Sequence, residues 1–450
     1  MKRILLAMLI GLLAVAMAAC SGDSTNTSPQ PSGGSNDSSG ASESGNKEPV
    51  QELKPKEEVT LVYYTPTART EEQFREEYGD AIEKGMPHVK IEFIPAGSGT
   101  TIPELLTAGQ TIDIFYYSSG QIYSHLIEYG LEYDLTELIN KYNYDLSRLE
   151  PTTIEFQQKV ADGGIYGLPV WTATAGLFYN KDIFDKFAVP YPEDGMTWDE
   201  IYDLAVQLTR VEDGVQYYGY VTSFNHQGLT NQLSLSPIDP ETHQAIFDND
   251  AWKRFYESVI RFYQIDGYNL DREKMNVTLQ RQWFEKDQIV AMYTNFTGGV
   301  PPVEMNWDVV SVPFYDENPG MGAQSYTNYH TVASLSEKKD EAFEVLMYLT
   351  SDEFQMDFTR RMPRATILNN DEIRAAYGAD LENFKGKNVA AMIPAQRAAP
   401  HHLTEYDAIA RKHMTEAFNV AVLGEKDLNT ALREAVEATN QEIQAAKASQ

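Results

Sequence analysis

Cysteine is all but missing from this chain: Cys20 is the only one among 450 residues. Whatever follows it folds without disulfides and reacts without a thiolate. Basic residues are scarce as well, with 36 lysines and arginines against 66 aspartates and glutamates and a formal net charge of −30. That sign repels phosphate backbones, which excludes nucleic acid as a partner and otherwise serves solubility. Beyond position 19 no apolar run reaches the roughly 20 residues of a membrane-crossing helix. The chain has no HExxH, no CxxC and no glycine-rich phosphate loop followed by Lys-Ser/Thr. Gly97-Ser98-Gly99 lacks the first glycine of a nucleophile elbow. His401 and His402 adjoin, but neighbours in sequence point apart and make a poor metal clamp. Asp248-Asn249-Asp250 falls short of a calcium loop. No metal and no other cofactor is expected. Two carboxylates suffice for glycoside hydrolysis, yet Asp194, Asp199 and Glu200 read better as loop and helix-start residues near a helix dipole.

What is present begins with Lys2 and Arg3 and an apolar run from Ile4 to Ala19, the layout of a signal peptide over residues 1–19. Met17-Ala18-Ala19-Cys20 resembles the bacterial lipoprotein box, which implies cleavage before Cys20 and its acylation, palmitate included. Residues 21–46 are nearly all Ser, Gly, Asn, Thr, Asp and Pro and cannot bury enough surface to order themselves. Residues 20–56 are therefore read as a lipidated cysteine and a flexible tether with an r.m.s. span of roughly 30 Å. One acyl chain anchors only marginally, and the resemblance implies several. The expected location is the extracellular face of a cell membrane, or its periplasmic face where the envelope has two membranes.

The remaining stretch is too long for one ordinary core and suits two lobes. Val59–Tyr64, Val89–Ile94 and Ile112–Tyr117 read as strands, with helices between them opened by Thr70-Glu-Glu-Gln73 and by Pro103. This is a βαβαβ pattern and predicts a parallel sheet. Thr197-Trp-Asp-Glu200 caps a helix with Trp198, Ile201, Leu204 and Leu208 on one face. Phe343, Leu346 and Leu349, then Leu432, Val436 and Ile443, mark further amphipathic helices. The fold class is α/β.

Several segments resemble the extracellular solute-binding proteins of ABC importers, the family that includes the maltose-binding proteins. They are Asp162-Gly-Gly-Ile-Tyr-Gly-Leu-Pro-Val170, Leu177-Phe-Tyr-Asn-Lys-Asp-Ile-Phe184 and Met196-Thr-Trp-Asp-Glu200. Trp283 to Met292 is similar to the family's F-x-x-G-x-x-A-M strand returning to the first lobe, with Asp287 at the glycine position. Ala342 to Gln355 resembles its A-x-x-F-x-x-x-L helix and T-S-x-E-x-Q successor. The resemblance implies a type II periplasmic-binding-protein fold, two lobes joined by hinge crossings around a ligand cleft. It places residues 57–170 and 297–345 in the N-terminal lobe and 171–296 and 346–450 in the C-terminal lobe. The implied function is capture of a carbohydrate by lobe closure and its delivery to ABC permease subunits, by a monomer that does no bond chemistry. A tethered glycan-active enzyme and a ligand-presenting sensor subunit are the alternatives.

Loops at strand ends face ligand crevices in open α/β sheets. This rule selects Tyr64 and Thr65 after the first strand, and Tyr117, Ser118 and Ser119 after the third. Aromatic rings suit stacking on sugars. The resemblance adds Trp171 and Thr172 in the crossing segment, Phe224, Asn225 and His226 in the second lobe, and the turn Asn295, Phe296 and Thr297. Tyr326, Tyr329 and His330 in a Gly/Ser/Asn-rich stretch, Arg364, and His401 in the Pro400-His401-His402 turn complete the candidate ligand site.

Overall fold

The computed structural model describes residues 56–449. The leader, Cys20 and the tether lie outside the described residues, apart from Lys56, whose Nζ donates to the Glu344 carboxylate at 2.6 Å. In chain order the strands are β1 (Val59–Tyr64), β2 (Val89–Ile94), β3 (Ile114–Ser118), β4 (Leu168–Thr172), β5 (Gly176–Asn180), β6 (Arg210–Glu212), β7 (Val215–Thr222), β8 (Val290–Asn295), β9 (Trp307–Val310), β10 (Met321–Gly322), β11 (Thr327–Val332) and β12 (Gln396–Arg397).

They form two five-stranded sheets, ordered β2-β1-β3-β11-β4 and β6-β7-β8-β5-β9, plus the short pair β10-β12. The expected βαβαβ unit is there: β1 runs parallel to both β2 and β3. Its helices start where the capping residues require. The Thr70 hydroxyl accepts from the Gln73 backbone N–H while the Gln73 side chain accepts from the Thr70 N–H, which satisfies two of the otherwise unpaired donors at a helix start. Thr197 and Glu200 do the same. Asn249, the residue that hinted at a calcium loop, caps the helix Asp250–Tyr263 through the Trp252 N–H.

β11 lies antiparallel between β3 and β4 and closes the first sheet. Successive residues of a strand face opposite sides. Tyr63, Ile114 and Tyr116 therefore enter one core while Tyr64, Phe115 and Tyr117 enter the other. The second sheet carries the largest core, built on Trp198, Trp252, Tyr256, Phe284 and Trp307.

Where the chain passes between sheets differs from the expectation at three places. The strand ending at Asn295 does not return to the first lobe: β8 pairs with β7 and β5, and Val290 and Met292 are buried in the second core. β9 likewise pairs with β5, so residues 297–310 stay with the second lobe and the return falls in 311–326. The helices Lys339–Leu349 and Asp352–Arg361 bury Leu346, Leu349, Phe354 and Phe358 against Leu61, Tyr63 and Phe74 of the first core. Each such side chain contributes about 1.5–3 kcal/mol where it packs, which holds these helices to the first lobe. Trp171 and Thr172 end β4, still within the first sheet. The glycine position of the F-x-x-G-x-x-A-M pattern also moves: counted back from Ala291-Met292 it is Gln288, which takes φ +52° in the tight turn before β8.

Candidate functional site

The carboxyl ends of the parallel strands in both sheets open onto one seam. The first sheet supplies the loop after β1, residues 65–70, and the residues after β3. The second supplies the helix Phe224–Leu229 after β7 and the turn after β8. The crossing Ala173–Thr174–Ala175 joins the sheets there. The Gly298 N–H donates to the Thr174 carbonyl at 3.1 Å, and the Thr174 and Tyr377 hydroxyls lie 3.1 Å apart. Gly298 holds φ +73° in this turn, a conformation that glycine adopts without strain. Elsewhere along the seam the lobes touch directly. The Tyr123 hydroxyl donates to the Leu403 carbonyl at 3.2 Å and Lys159 Nζ to the Pro400 carbonyl at 2.6 Å. The seam thus pairs a crossing segment with a polar latch.

On the first-lobe wall, Trp171 is buried with Nε1 donating to the Tyr78 hydroxyl at 2.9 Å. The Arg364 guanidinium covers its ring at 4.1 Å. Beside them Arg69 pairs with Glu77 at 3.1 Å and lies over the rings of Tyr116, 5.1 Å, and Tyr78, 5.7 Å. Ser118 shares a strand face with Tyr116 and bonds the half-buried Tyr326 hydroxyl at 3.1 Å. Thr172 is fixed by backbone pairing to Ala365. Thr65 is buried, its Oγ1 2.8 Å from Thr67 Oγ1, and shapes the turn that carries Arg69. Ser119 starts the short helical turn after β3. Thr327 Oγ1 and Asn328 Nδ2 are buried in this wall without partners.

On the second-lobe wall, His226 Nδ1 meets Ser223 Oγ at 2.7 Å, and burial, then the nearby Arg411, holds the imidazole below its ordinary pKa. Arg411, from the helix Asp407–Val422, has its own pKa lowered by burial. Together with Asn225, His401 and Asp407 it lines a crevice of about 10 Å³, room for a water and not for a sugar. Asn295 is a turn builder: its Oδ1 accepts from Thr297 N–H and Oγ1, and its Nδ2 donates to the Gly299 carbonyl. His401 is buried on Gln324, whose Oε1 accepts from its N–H at 2.9 Å, and faces Asp407 at 3.4 Å.

Several expected contact residues are core instead. Tyr117 stacks on Tyr329 at 5.5 Å, and the Tyr329 hydroxyl donates to the Thr153 carbonyl. His330 is enclosed by Tyr63, Tyr78 and Tyr116; burial and then Arg69 depress its pKa to about 3. Phe224 stacks on Phe418 at 4.2 Å, and Phe296 is buried in the second core. Apolar contact explains why Phe224, Phe296, Tyr117 and Tyr329 turned inward, whereas His330 is buried with only Nε2 bonded, to the Tyr63 hydroxyl. Tyr64 is buried too, but its neighbourhood is a surface cavity of about 390 Å³ on the first lobe, lined with Pro66, Ala68, Thr101, His125 and Tyr129.

Arg69, Tyr116 and Arg411 were missed by sequence reasoning. Strand parity ties Tyr116 to Ser118, and Arg69 lies just beyond the β1 loop already selected. Arg411 has no local signal. Among the described residues no group of His, Cys, Asp and Glu is placed to hold a metal ion.

Residues 67–356 match the family described as bacterial extracellular solute-binding protein. A Brucella abortus (strain 2308) protein designated a binding protein is 22% identical over 369 residues, 76% of this chain and 83% of that relative. The structure of a sugar transporter from Rhizobium etli in an open conformation matches with TM-score 0.66 at 19% identity, over 85% of this chain and 99% of that one. An ABC substrate-binding protein from Listeria monocytogenes in complex with cycloalternan matches with TM-score 0.67 at 19% identity, over 86% and 99%. At such identities the likeness establishes the two-lobed fold.

Proposed function

The chain belongs to the bacterial extracellular solute-binding protein family, and on that premise we propose that it captures a carbohydrate, an oligosaccharide, by closing its lobes and hands it to an ABC permease. The observation that supports this reading is the seam between the two lobes, where the half-buried Tyr326 ring stands beside the Ser118 hydroxyl. Flat apolar faces beside hydrogen-bonding groups match the two kinds of surface on a sugar ring. The Listeria neighbour was solved with a bound saccharide, which favours the same ligand class here. Closure would bury the ligand and create the shape that a permease reads. The reading involves no bond chemistry and a single copy of the chain.

Anchoring belongs to the same proposal: Cys20 carries the acyl chains that hold the protein at the outer face of the membrane. A thermal-shift screen over a saccharide panel, followed by calorimetry, tests the binding step. A ligand at a hundredfold its Kd adds about 2.7 kcal/mol to stability, a readable shift; a panel without any shift would refute the carbohydrate reading. Palmitate labelling of cells expressing the protein and its Cys20→Ser variant tests the anchor, and equal label in both would refute it.

A further inference from the structure

Beside the crossing lies a cavity of about 210 Å³ that the saccharide reading does not use. Three stretches of chain supply most of its wall: Ala175 of the crossing, residues between Val312 and Ala323 on the way back to the first lobe, and residues between Ala391 and Arg397. Half of the lining residues are alanine or glycine, and Val312, Phe314, Met321 and Ile393 make up most of the rest. Only Ser311 and Arg397 bring polar side chains, and the Ser311 hydroxyl is taken, accepting from the Gly195 N–H at 3.0 Å.

The space does not come from slack packing. β10 and β12 close one side of it through Gly322, where a Cβ would lie 2.5 Å from the Pro394 Cβ. The Phe314 backbone is held twice, donating to the Met196 carbonyl and accepting from the Trp198 N–H. Protein interiors are otherwise close-packed, so small side chains in a fixed frame make a shaped pocket. Arg397 is its one charged group. The residue is half-buried, and among the described residues its guanidinium has no hydrogen bond and no carboxylate within 4 Å. Glu150, the acid whose charge acts on it, is engaged by the Thr152 and Ser325 hydroxyls. Leaving a desolvated cation without a counter-ion is costly. An apolar space with a single unpaired guanidinium complements a ligand with an apolar body and one acidic end.

We propose that this cavity is a second ligand site, taking a small aryl or branched-chain carboxylic acid whose carboxylate pairs with Arg397. A planar guanidinium grips a carboxylate through two parallel hydrogen bonds. The volume exceeds the roughly 150 Å³ that admits a benzene-sized ring, which leaves room for a short acidic arm. Ala175 follows Thr174, whose carbonyl accepts from the Gly298 N–H in the crossing, and the stretch from Val312 to Ala323 is the return passage. An occupant therefore touches two of the segments that bend when the lobes move, and it stabilises the lobe arrangement in which the cavity fits it. The site is thus an effector site, whichever solute the seam between the lobes holds.

Ligand-observed NMR and calorimetry on the full folded chain test this with benzoate, phenylacetate and 4-methylpentanoate, each beside its uncharged amide. At least one acid should bind about tenfold or more tighter than its amide, and more weakly as salt is raised. Arg397→Met should weaken that acid by about tenfold or more, and Arg397→Lys, which keeps the charge and loses the fork, by less. Ala391→Phe, which fills the cavity and leaves Arg397 in place, should abolish binding. Melting curves of each variant establish that it is folded. Small-angle scattering of the wild type saturated with that acid should show a changed radius of gyration, and Arg397→Met at the same acid concentration should not. No binding by any of the acids, amides that bind as tightly, or acid binding untouched in both Arg397→Met and Ala391→Phe would overturn the site. Binding with unchanged scattering would overturn the effector role.

Discussion

His330 is a buried imidazole inside a tyrosine cage, and it makes stability depend on pH in a calculable way. Its ring lies 5.5 Å from Tyr63, 5.1 Å from Tyr78 and 5.4 Å from Tyr116, with Nε2 2.5 Å from the Tyr63 hydroxyl and Nδ1 without a partner. Burial first, and the charge of Arg69 second, depress its pKa to about 3. The unfolded chain binds that proton near pH 6.5. Below 6.5 the unfolded state therefore holds more protons, and stability falls with pH until the folded imidazole protonates as well. The stability is fully present above about 6.5 and is lost progressively towards about 3. At roughly 1.4 kcal/mol per unit, lowering the pH from 8 to 5 costs about 2 kcal/mol through this residue alone. Urea denaturation at the two pH values, on the wild type and on His330→Gln, isolates the effect. Other titrating groups are common to both proteins, and glutamine still offers Tyr63 a polar partner. The wild type should lose about 2 kcal/mol more than the variant. Losses that agree within about 0.5 kcal/mol, or an imidazole titrating near 6.5 by NMR, would refute the reasoning.

Trp171→Ala removes the donor to Tyr78 and the ring under Arg364; unfolding experiments should read a loss of about 3–5 kcal/mol, and Trp171→Phe, which keeps most of the packing, about 1 kcal/mol. Gly219→Ala places a Cβ 2.2 Å from the Ala205 carbonyl oxygen, a backbone atom of the helix packed on β7; the variant should melt several degrees lower, and an unchanged melting curve would contradict the tight crossing. Removing the latch with Tyr123→Phe and Lys159→Met deletes two bonds between lobes, worth about 1 kcal/mol each. The unliganded protein should then open, seen as a larger radius of gyration in small-angle scattering, and ligand affinity should fall by about tenfold or more; unchanged scattering would remove the latch from the account.

Local information sufficed for the elements and the parallel core. Alternation of β-branched and aromatic residues in Val59–Tyr64, the Thr70–Gln73 and Thr197–Glu200 boxes and the Pro103 helix start all act within a few residues. The strand-end rule reached Ser118 and Ser119 for the same reason, because a strand's direction sets which loop opens on the crevice. What it left undecided was depth. Tyr116 and Tyr117 are adjacent and chemically identical, yet one packs in the core beside His330 under Arg69 and the other stacks on Tyr329 in the opposite core. Only the second layer of packing distinguishes the two faces of β3. Lobe membership was decided the same way: Trp307 and Phe354 are each apolar and each flanked by plausible hinges, and the core that receives them assigns one to the second sheet and the other to the first. Long-range placement was beyond the sequence altogether. Arg411 comes to line one crevice with Phe224 and Asn225 from a distant helix, and its lack of a carboxylate partner is a property of the folded surroundings. Composition and short-range patterning thus determined what this chain builds and where its loops point. The pairing of charges across the seam is a sum over distant neighbours, so only the tertiary structure decided which side chains the cleft leaves unsatisfied.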